Sequence, residues 1–222
     1  MVASLSSQLS RAKMAIFFHF EDNRYNLLVY FLVSTIVLYL GPGFFFRKHN
    51  AEYGVPLVDA PCGKMTGVRS PSRDGRDIYS YKGIPYAQPP TGELRFKRPS
   101  PPDSWKGTLK ATKYGDKCYQ PFALGPIRKF EGSEDCLYLN VHVPNSNRKE
   151  DGGLPVMVWI HGGGFTNGDG SDGLFGPEFL LDRDVILVTL NYRLGPLGFF
   201  SLDDAGISGN QGMWDQRDAM IW

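Results

Sequence analysis

The sequence predicts an α/β layer architecture, and three observations predict it. Residues 154–162 (LPVMVWIHG) and 185–194 (VILVTLNYRL) are apolar at successive positions. That is the pattern of central strands in a sheet covered on both faces. The segment between them, GGGFTNGDGSDGLFGPEFLLDRD, is long enough for a crossover, and residues 209–222 (GNQGMWDQRDAMIW) open a helix. Strand, crossover, strand, helix is the order of a layered α/β domain.

Taken in chain order, residues 1–50 form an N-terminal tail. It carries an uncharged apolar run that begins at Leu27, ends at Phe46 and is closed by Arg47 and Lys48. The fully apolar part has the length of a signal-peptide core, and the whole run just reaches spanning length. A cleaved signal and an uncleaved membrane anchor both follow, and both place the rest of the chain in the secretory pathway. Residues 51–222 read as one domain. GKMTGVRS and RDIYSYKGI read as short strands joined by a turn. The proline-rich segment 85–105 reads as an ordered surface loop. LYLNVHVP alternates as a half-buried strand, and a short helix is predicted around residues 177–181. The final helix predicts a buried Trp/Met/Ile face. The predicted central strands have more apolar surface than these elements can cover, so the sheet reads as incomplete.

Composition excludes several function classes. Net charge is +1 with no long basic run, which argues against nucleic acid as a partner. There is no GxGxxG and no GxxxxGK[ST], so no nucleotide-phosphate cradle and no cofactor are expected. The three cysteines, Cys62, Cys118 and Cys136, lack zinc-site spacing, and no metal is expected. They are either three free thiols or a Cys118–Cys136 disulfide with Cys62 left over. An oxidising secretory compartment favours the disulfide.

The chemistry is concentrated in HGGGF, residues 161–165. Three glycines at the end of a central strand expose backbone N–H groups with no side chain in the way. A loop leaving the carboxyl end of such a strand is where open α/β sheets bind ligands. Convergent N–H groups there can stabilise a developing oxyanion, and HGGG is a known oxyanion-loop pattern of lipases and esterases. The alternative is a glycine-rich turn without chemistry. Ser171 and Ser208 do not complete a nucleophile elbow: Asp169 and Asn210 stand where GxSxG requires glycine. His142 reads as an ordinary strand residue.

Five segments, GIPYAQPPTGELRFKRP, EDCLYLNVHVP, HGGGF, NYRLGPLGFF and GNQGMWDQRDA, occur in that order. Together they resemble the type-B carboxylesterase/cholinesterase family, in its insect-type carboxylesterase form. The resemblance covers roughly residues 55–222. It implies an α/β-hydrolase fold, here the N-terminal portion of a mostly parallel central sheet with flanking helices. It implies oxyanion-hole donors at Gly163 and Gly164, with His161 and Gly162 shaping the loop and Phe165 near the acyl pocket. It also implies a Cys118–Cys136 disulfide and two buried ion pairs, Arg95–Glu134 and Arg193–Asp215. The serine, acid and base of the family's triad have no counterpart in these 222 residues. The expectation is therefore the N-terminal part of a small-molecule carboxylic ester hydrolase, inactive by itself. The alternative is a non-catalytic adhesion or binding relative, or a short form acting as a decoy.

Overall fold

The computed structural model describes residues 54–124, 127–146, 153–173 and 175–222. The chain divides after His49, and all described residues lie in the second unit, Asn50–Trp222. The apolar run from Leu27 to Phe46 is outside the described residues. Among them, no helix is long and apolar enough to cross a membrane.

The strands, in order, are β1 (Val58–Ala60), β2 (Gly63–Thr66), β3 (Val68–Pro71), β4 (Asp77–Pro85), β5 (Thr108–Lys110), β6 (Gln120–Leu124), β7 (Ile127–Glu131), β8 (Tyr138–Pro144), β9 (Val156–Ile160) and β10 (Ile186–Leu190). A short helix α1 (Gly195–Phe199), a minimal hairpin of β11 (Ser201–Leu202) and β12 (Ile207–Ser208), and helix α2 (Gln211–Ile221) follow. The main sheet has the order β3-β4-β8-β10-β9. Its first three pairings are antiparallel and only β10–β9 is parallel. The described part of the sheet is therefore mixed rather than mostly parallel.

Residues 63–70, read as one strand, divide into β2 and β3, which belong to different sheets. The hairpin is β3–β4, turning through residues 72–76, where Ser72 N–H donates to Arg76 O at 2.6 Å. The helix expected near residues 177–181 is a single 3-10 turn, Leu180–Asp182.

The two faces of the main sheet are built differently. One packs Tyr81, Ile84, Leu139 and Leu190 into the larger core, with Tyr192 and Leu194 beyond the end of β10. On the other, Ile78 and Leu187 pack with Leu181, beside a buried polar ladder. Ser80 pairs His142 across β4–β8, and Asn140 pairs Thr189 across β8–β10. The ladder is hydrogen-bonded throughout: His142 Nδ1 lies 2.8 Å from Ser80 Oγ, and Asn140 Nδ2 donates to Thr189 Oγ1 at 3.0 Å. β8 thus buries its polar residues, while Val141 and Val143 are only half-buried. Burial of unpaired polar groups would be costly, and their pairing makes this arrangement tolerable.

β9 was expected to be covered on both faces. Among the described residues it is paired only with β10, and Val156, Met157, Val158 and Ile160 are exposed, as an incomplete sheet would leave them. No described element lies against its far side. Helix α2 buries Asp215 as the resemblance implied, but its apolar face is left uncovered by the described residues. Met213, Met220 and Ile221 are exposed, while Gln211, Asp215 and Gln216 are buried. Asp215 turns inward to meet Arg193.

Candidate active site

The glycine loop leaves the carboxyl end of β9, where the parallel β9–β10 pair opens. His161 is buried at 5% exposure, and its ring stacks on Tyr192 with centroids 4.4 Å apart. Nδ1 lies 2.8 Å from Gly162 O. A carbonyl can only accept, so Nδ1 carries the proton and Nε2 is the bare acceptor. Burial holds the imidazole below its ordinary pKa, so the ring is neutral. Tyr192 Oη donates to His161 O at 3.1 Å, fixing the peptide just before the glycines.

Gly163, Gly164 and Phe165 have φ of 114°, 60° and 61°. Three successive residues in this half of backbone space turn the chain sharply, and glycine adopts it without steric cost. A Cβ on Gly163 would fall on the Asn167 carbonyl oxygen. The turn is closed by Thr166 N–H, Thr166 Oγ1–H and Asn167 N–H, all donating to Gly163 O at 3.1, 2.9 and 3.3 Å. Among the described residues, the Gly163 and Gly164 N–H groups meet no acceptor. The N–H groups of Gly162 and Phe165 likewise meet no acceptor among the described residues, so the loop uses the Gly163 carbonyl internally and leaves four successive donors unspent, Gly163 and Gly164 at their centre.

Phe165 is a non-glycine at positive φ, which costs about 1–2 kcal/mol. It is held by Gly195 N–H, which donates to Phe165 O at 2.7 Å, and by ring contacts to Phe199 at 5.1 Å and Tyr192 at 6.4 Å. The HGGGF and NYRLGPLGFF segments thus meet in space. Arg193 in the second segment forms a two-point ion pair with Asp215, at 2.8 and 2.7 Å, and its backbone N–H donates to the same carboxylate at 3.0 Å. Both side chains are buried, at 4% and 0% exposure. Burial raises the Asp215 carboxyl above its ordinary value against the pull of Arg193.

Arg95 and Glu134 also pair through two contacts, at 2.6 and 2.7 Å. The expectation of burial fails for them: their side chains are 45% and 27% exposed. Both sit on irregular segments at the surface, where solvent solvates the pair and reduces its contribution. Cys118 and Cys136 are joined in a disulfide, and Cys62 is a free thiol.

The sequence reading missed the residues that hold the rest of the loop. Gln120 meets Gly168 with both ends of its amide, Asn191 Oδ1 accepts from Gly170 N–H at 2.7 Å, and Gly170 O accepts from Thr189 Oγ1 and Asn140 Nδ2 at 2.6 and 3.1 Å. The available signal was three polar residues, Asn140, Thr189 and Asn191, within strands otherwise built to be buried.

Neither serine rejected as an elbow acquires a base. Ser171 Oγ bonds the Asp169 carboxylate, which also pairs with Lys117 at 3.2 Å. The Ser80–His142 pair has hydrogen-bond geometry, but both residues are 1% exposed within the sheet. Substrate cannot reach it, and its role is to satisfy buried polar groups. Among the described residues no cluster of His, Cys, Asp and Glu could hold a metal ion.

Comparison with known proteins places this architecture. A family model described as Carboxylesterase family matches residues 54–222. A juvenile hormone esterase of Tribolium castaneum is 50% identical over 165 residues, covering 74% of this chain and 28% of that protein. A carboxylic ester hydrolase of Bombus ignitus is 45% identical over 193 residues, covering 86% of this chain and 34% of that protein. The crystal structure of juvenile hormone esterase from Manduca sexta, with OTFP covalently attached, superposes with a TM-score of 0.68 at 39% identity, covering 76% of this chain and 32% of that one. The chain thus spans about a third of the length of the relatives it matches. With an α/β-hydrolase sheet, the glycine loop at its carboxyl end and a match across the whole described region, the chain belongs to the carboxylesterase family.

Proposed function

We propose that this chain supplies the oxyanion-binding part of a carboxylic ester hydrolase of the secretory pathway. The observation that carries the reading is the turn at Gly163–Gly164, whose N–H groups meet no acceptor among the described residues and stand at the carboxyl end of β9. In acyl transfer the substrate carbonyl oxygen gains negative charge as a nucleophile adds. Donors already in place stabilise that charge without reorganising, and each is worth about 10²–10³ in kcat. Phe165, 50% exposed beside Gly164, offers an apolar wall for the acyl group.

The nucleophile is a serine supplied by the part of the fold these residues do not contain, together with its acid and base. The 222 residues hold no GxSxG. By themselves they do not turn over esters by the serine route. The Cys118–Cys136 disulfide supports an oxidising compartment, in keeping with the apolar run from Leu27 to Phe46 acting as a signal or anchor.

The test is expression from the full reading frame, with p-nitrophenyl acetate as substrate and a fluorophosphonate probe as serine label. Turnover, one labelled serine and loss of turnover on labelling are expected, with neither in the 222 residues alone. A full-length product that neither turns over nor labels would overturn the reading and leave a binding protein.

A further inference from the structure

We propose that Gln120 is a positioning residue that clamps the glycine loop, with the Cys118–Cys136 disulfide as the anchor of the clamp. The inference rests on the oxyanion-loop reading above but concerns a residue outside the loop. Gln120 is the first residue of β6 and is 5% exposed. Its Nε2 donates to Gly168 O at 2.9 Å, while Gly168 N–H donates to its Oε1 at 2.8 Å. The second Nε2 hydrogen goes to Cys118 O at 2.9 Å. The amide thus links two backbone segments 48 positions apart, with both its donor hydrogens and one acceptor direction used.

What it holds is directly beneath the donors. Gly168 has φ 118°, and a Cβ there would collide with the His161 ring and lie 2.6 Å from Gly162 O. Gly168 is therefore the floor on which the His161 ring and the Gly162–Gly163 peptide rest. Moving Gly168 moves the peptide that enters Gly163. The clamp is fixed from behind, because Cys118 is tied to Cys136, which immediately precedes the core residue Leu137 and strand β8. The path from disulfide to glycine loop is thus one covalent bond, a two-residue step and one reciprocal amide pair.

The discriminating variant is Gln120→Glu. Its protonated carboxyl keeps an acceptor for Gly168 N–H and a donor for Gly168 O. Its carboxylate keeps the acceptor but sets negative charge against Gly168 O and Cys118 O. Burial and those carbonyls push this carboxyl above the ordinary glutamate value. Clamping by the variant should then be present at low pH and lost as pH rises. The charged and titratable groups around it are His161 on the loop, Asp169 next to Gly168, Lys117 before the disulfide, and Glu131 opposite it on β7. They are shared with the parent protein, so its own pH profile is subtracted.

The experiment compares the parent, Gln120→Glu and Gln120→Leu in the protein expressed from its full reading frame. Amide hydrogen exchange across residues 161–170 is read as protection relative to intrinsic rates. Hydrolysis of p-nitrophenyl acetate is followed alongside. Gln120→Leu should lower loop protection about tenfold or more, and kcat by about 10²-fold with KM within about threefold. Gln120→Glu should recover both at low pH, which a purely structural loss would not do. Equal loop protection in parent and Gln120→Leu, or a pH-independent Gln120→Glu, would overturn the clamp. Should Gln120→Leu fail to fold, the pH dependence of loop protection in Gln120→Glu decides alone. A parent without esterase activity would sink the functional reading while exchange still decides the clamp.

Discussion

The sharpest test of the donor loop is Gly163→Ala. The added Cβ would fall on the Asn167 carbonyl oxygen, 2.5 Å from Asn167 Oδ1 and 2.8 Å from its carbonyl carbon. These are neighbours within the same turn, and two of the three contacts are backbone, so no side-chain rotation relieves the clash. The residue also stands at φ 114°, which an L-residue rarely adopts. The turn must open, breaking the bonds from Thr166 and Asn167 to Gly163 O. The cost to stability is limited to about 1–3 kcal/mol, because the loop is exposed and the sheet beneath it need not move. The cost to catalysis is larger. A misdirected donor should lower kcat by about 10²–10³-fold. Gly162→Ala separates the backbone clash from the mere addition of a methyl group: no described atom lies within 4 Å of its Cβ and its φ is outside the left-handed range, so its thermal midpoint should stay close to the parent's. The assay is steady-state hydrolysis of p-nitrophenyl acetate by protein expressed from the full reading frame, with thermal midpoints measured on the same samples. A Gly163→Ala protein with parental kcat would refute the assignment of these donors.

Three further outcomes follow from the same structure. Asp215→Ala strands the buried Arg193 charge and should cost about 3–5 kcal/mol, lowering the thermal midpoint by about 10 °C or more, whereas replacing both with Arg193→Met and Asp215→Leu should recover most of that loss. Replacing both Cys118 and Cys136 by serine frees a loop with a sequence separation of 18 and should cost about 3 kcal/mol in chemical denaturation. His142 is held neutral, its pKa lowered to about 4 by burial and then by the Lys82 charge. An unfolded histidine takes its proton near pH 6.5 and the folded one does not, so stability from this group is present above that value and is lost as pH falls toward 4. The loss should reach roughly 3 kcal/mol, and His142→Gln should flatten the acid side of the stability–pH curve; an unchanged slope would count against burial as the cause.

Much of the loop's geometry was legible because it is written in backbone demands that only certain residues meet. Glycines at 163 and 164 announce positive φ, and the strand ahead of them announces where the loop leaves the sheet. What could not be read were side chains whose partners are distant in sequence. Asn140 looked like the solvent face of an alternating strand, yet it is buried and holds Gly170. Alternation tells which residues share a face, not which face is covered. In β8 both faces are covered, the polar one because the glycine-rich loop returns over it and offers its backbone as partner. In helix α2 the Asp215–Arg193 pair marks the inward face, and the described residues leave Met213 and Met220 uncovered. For β9, composition correctly marked a strand with two apolar faces, and the described residues cover neither well.

Phe165 bears on why two separated motifs belong together. A glycine there would hold φ 61° at less cost, so the strained phenylalanine persists only because its surroundings over-determine it. Its carbonyl is fixed by Gly195 N–H and its ring by Phe199 and Tyr192, all from the segment after β10. On the other side, Gly168 is fixed by Gln120 and Gly170 by Asn140, Thr189 and Asn191. The Gly163 and Gly164 N–H groups therefore hang between two anchored points. A loop held this way resists the drift that would average out its N–H directions. That resistance is what oxyanion stabilisation requires, since donors that must reorganise as charge develops lose most of their advantage.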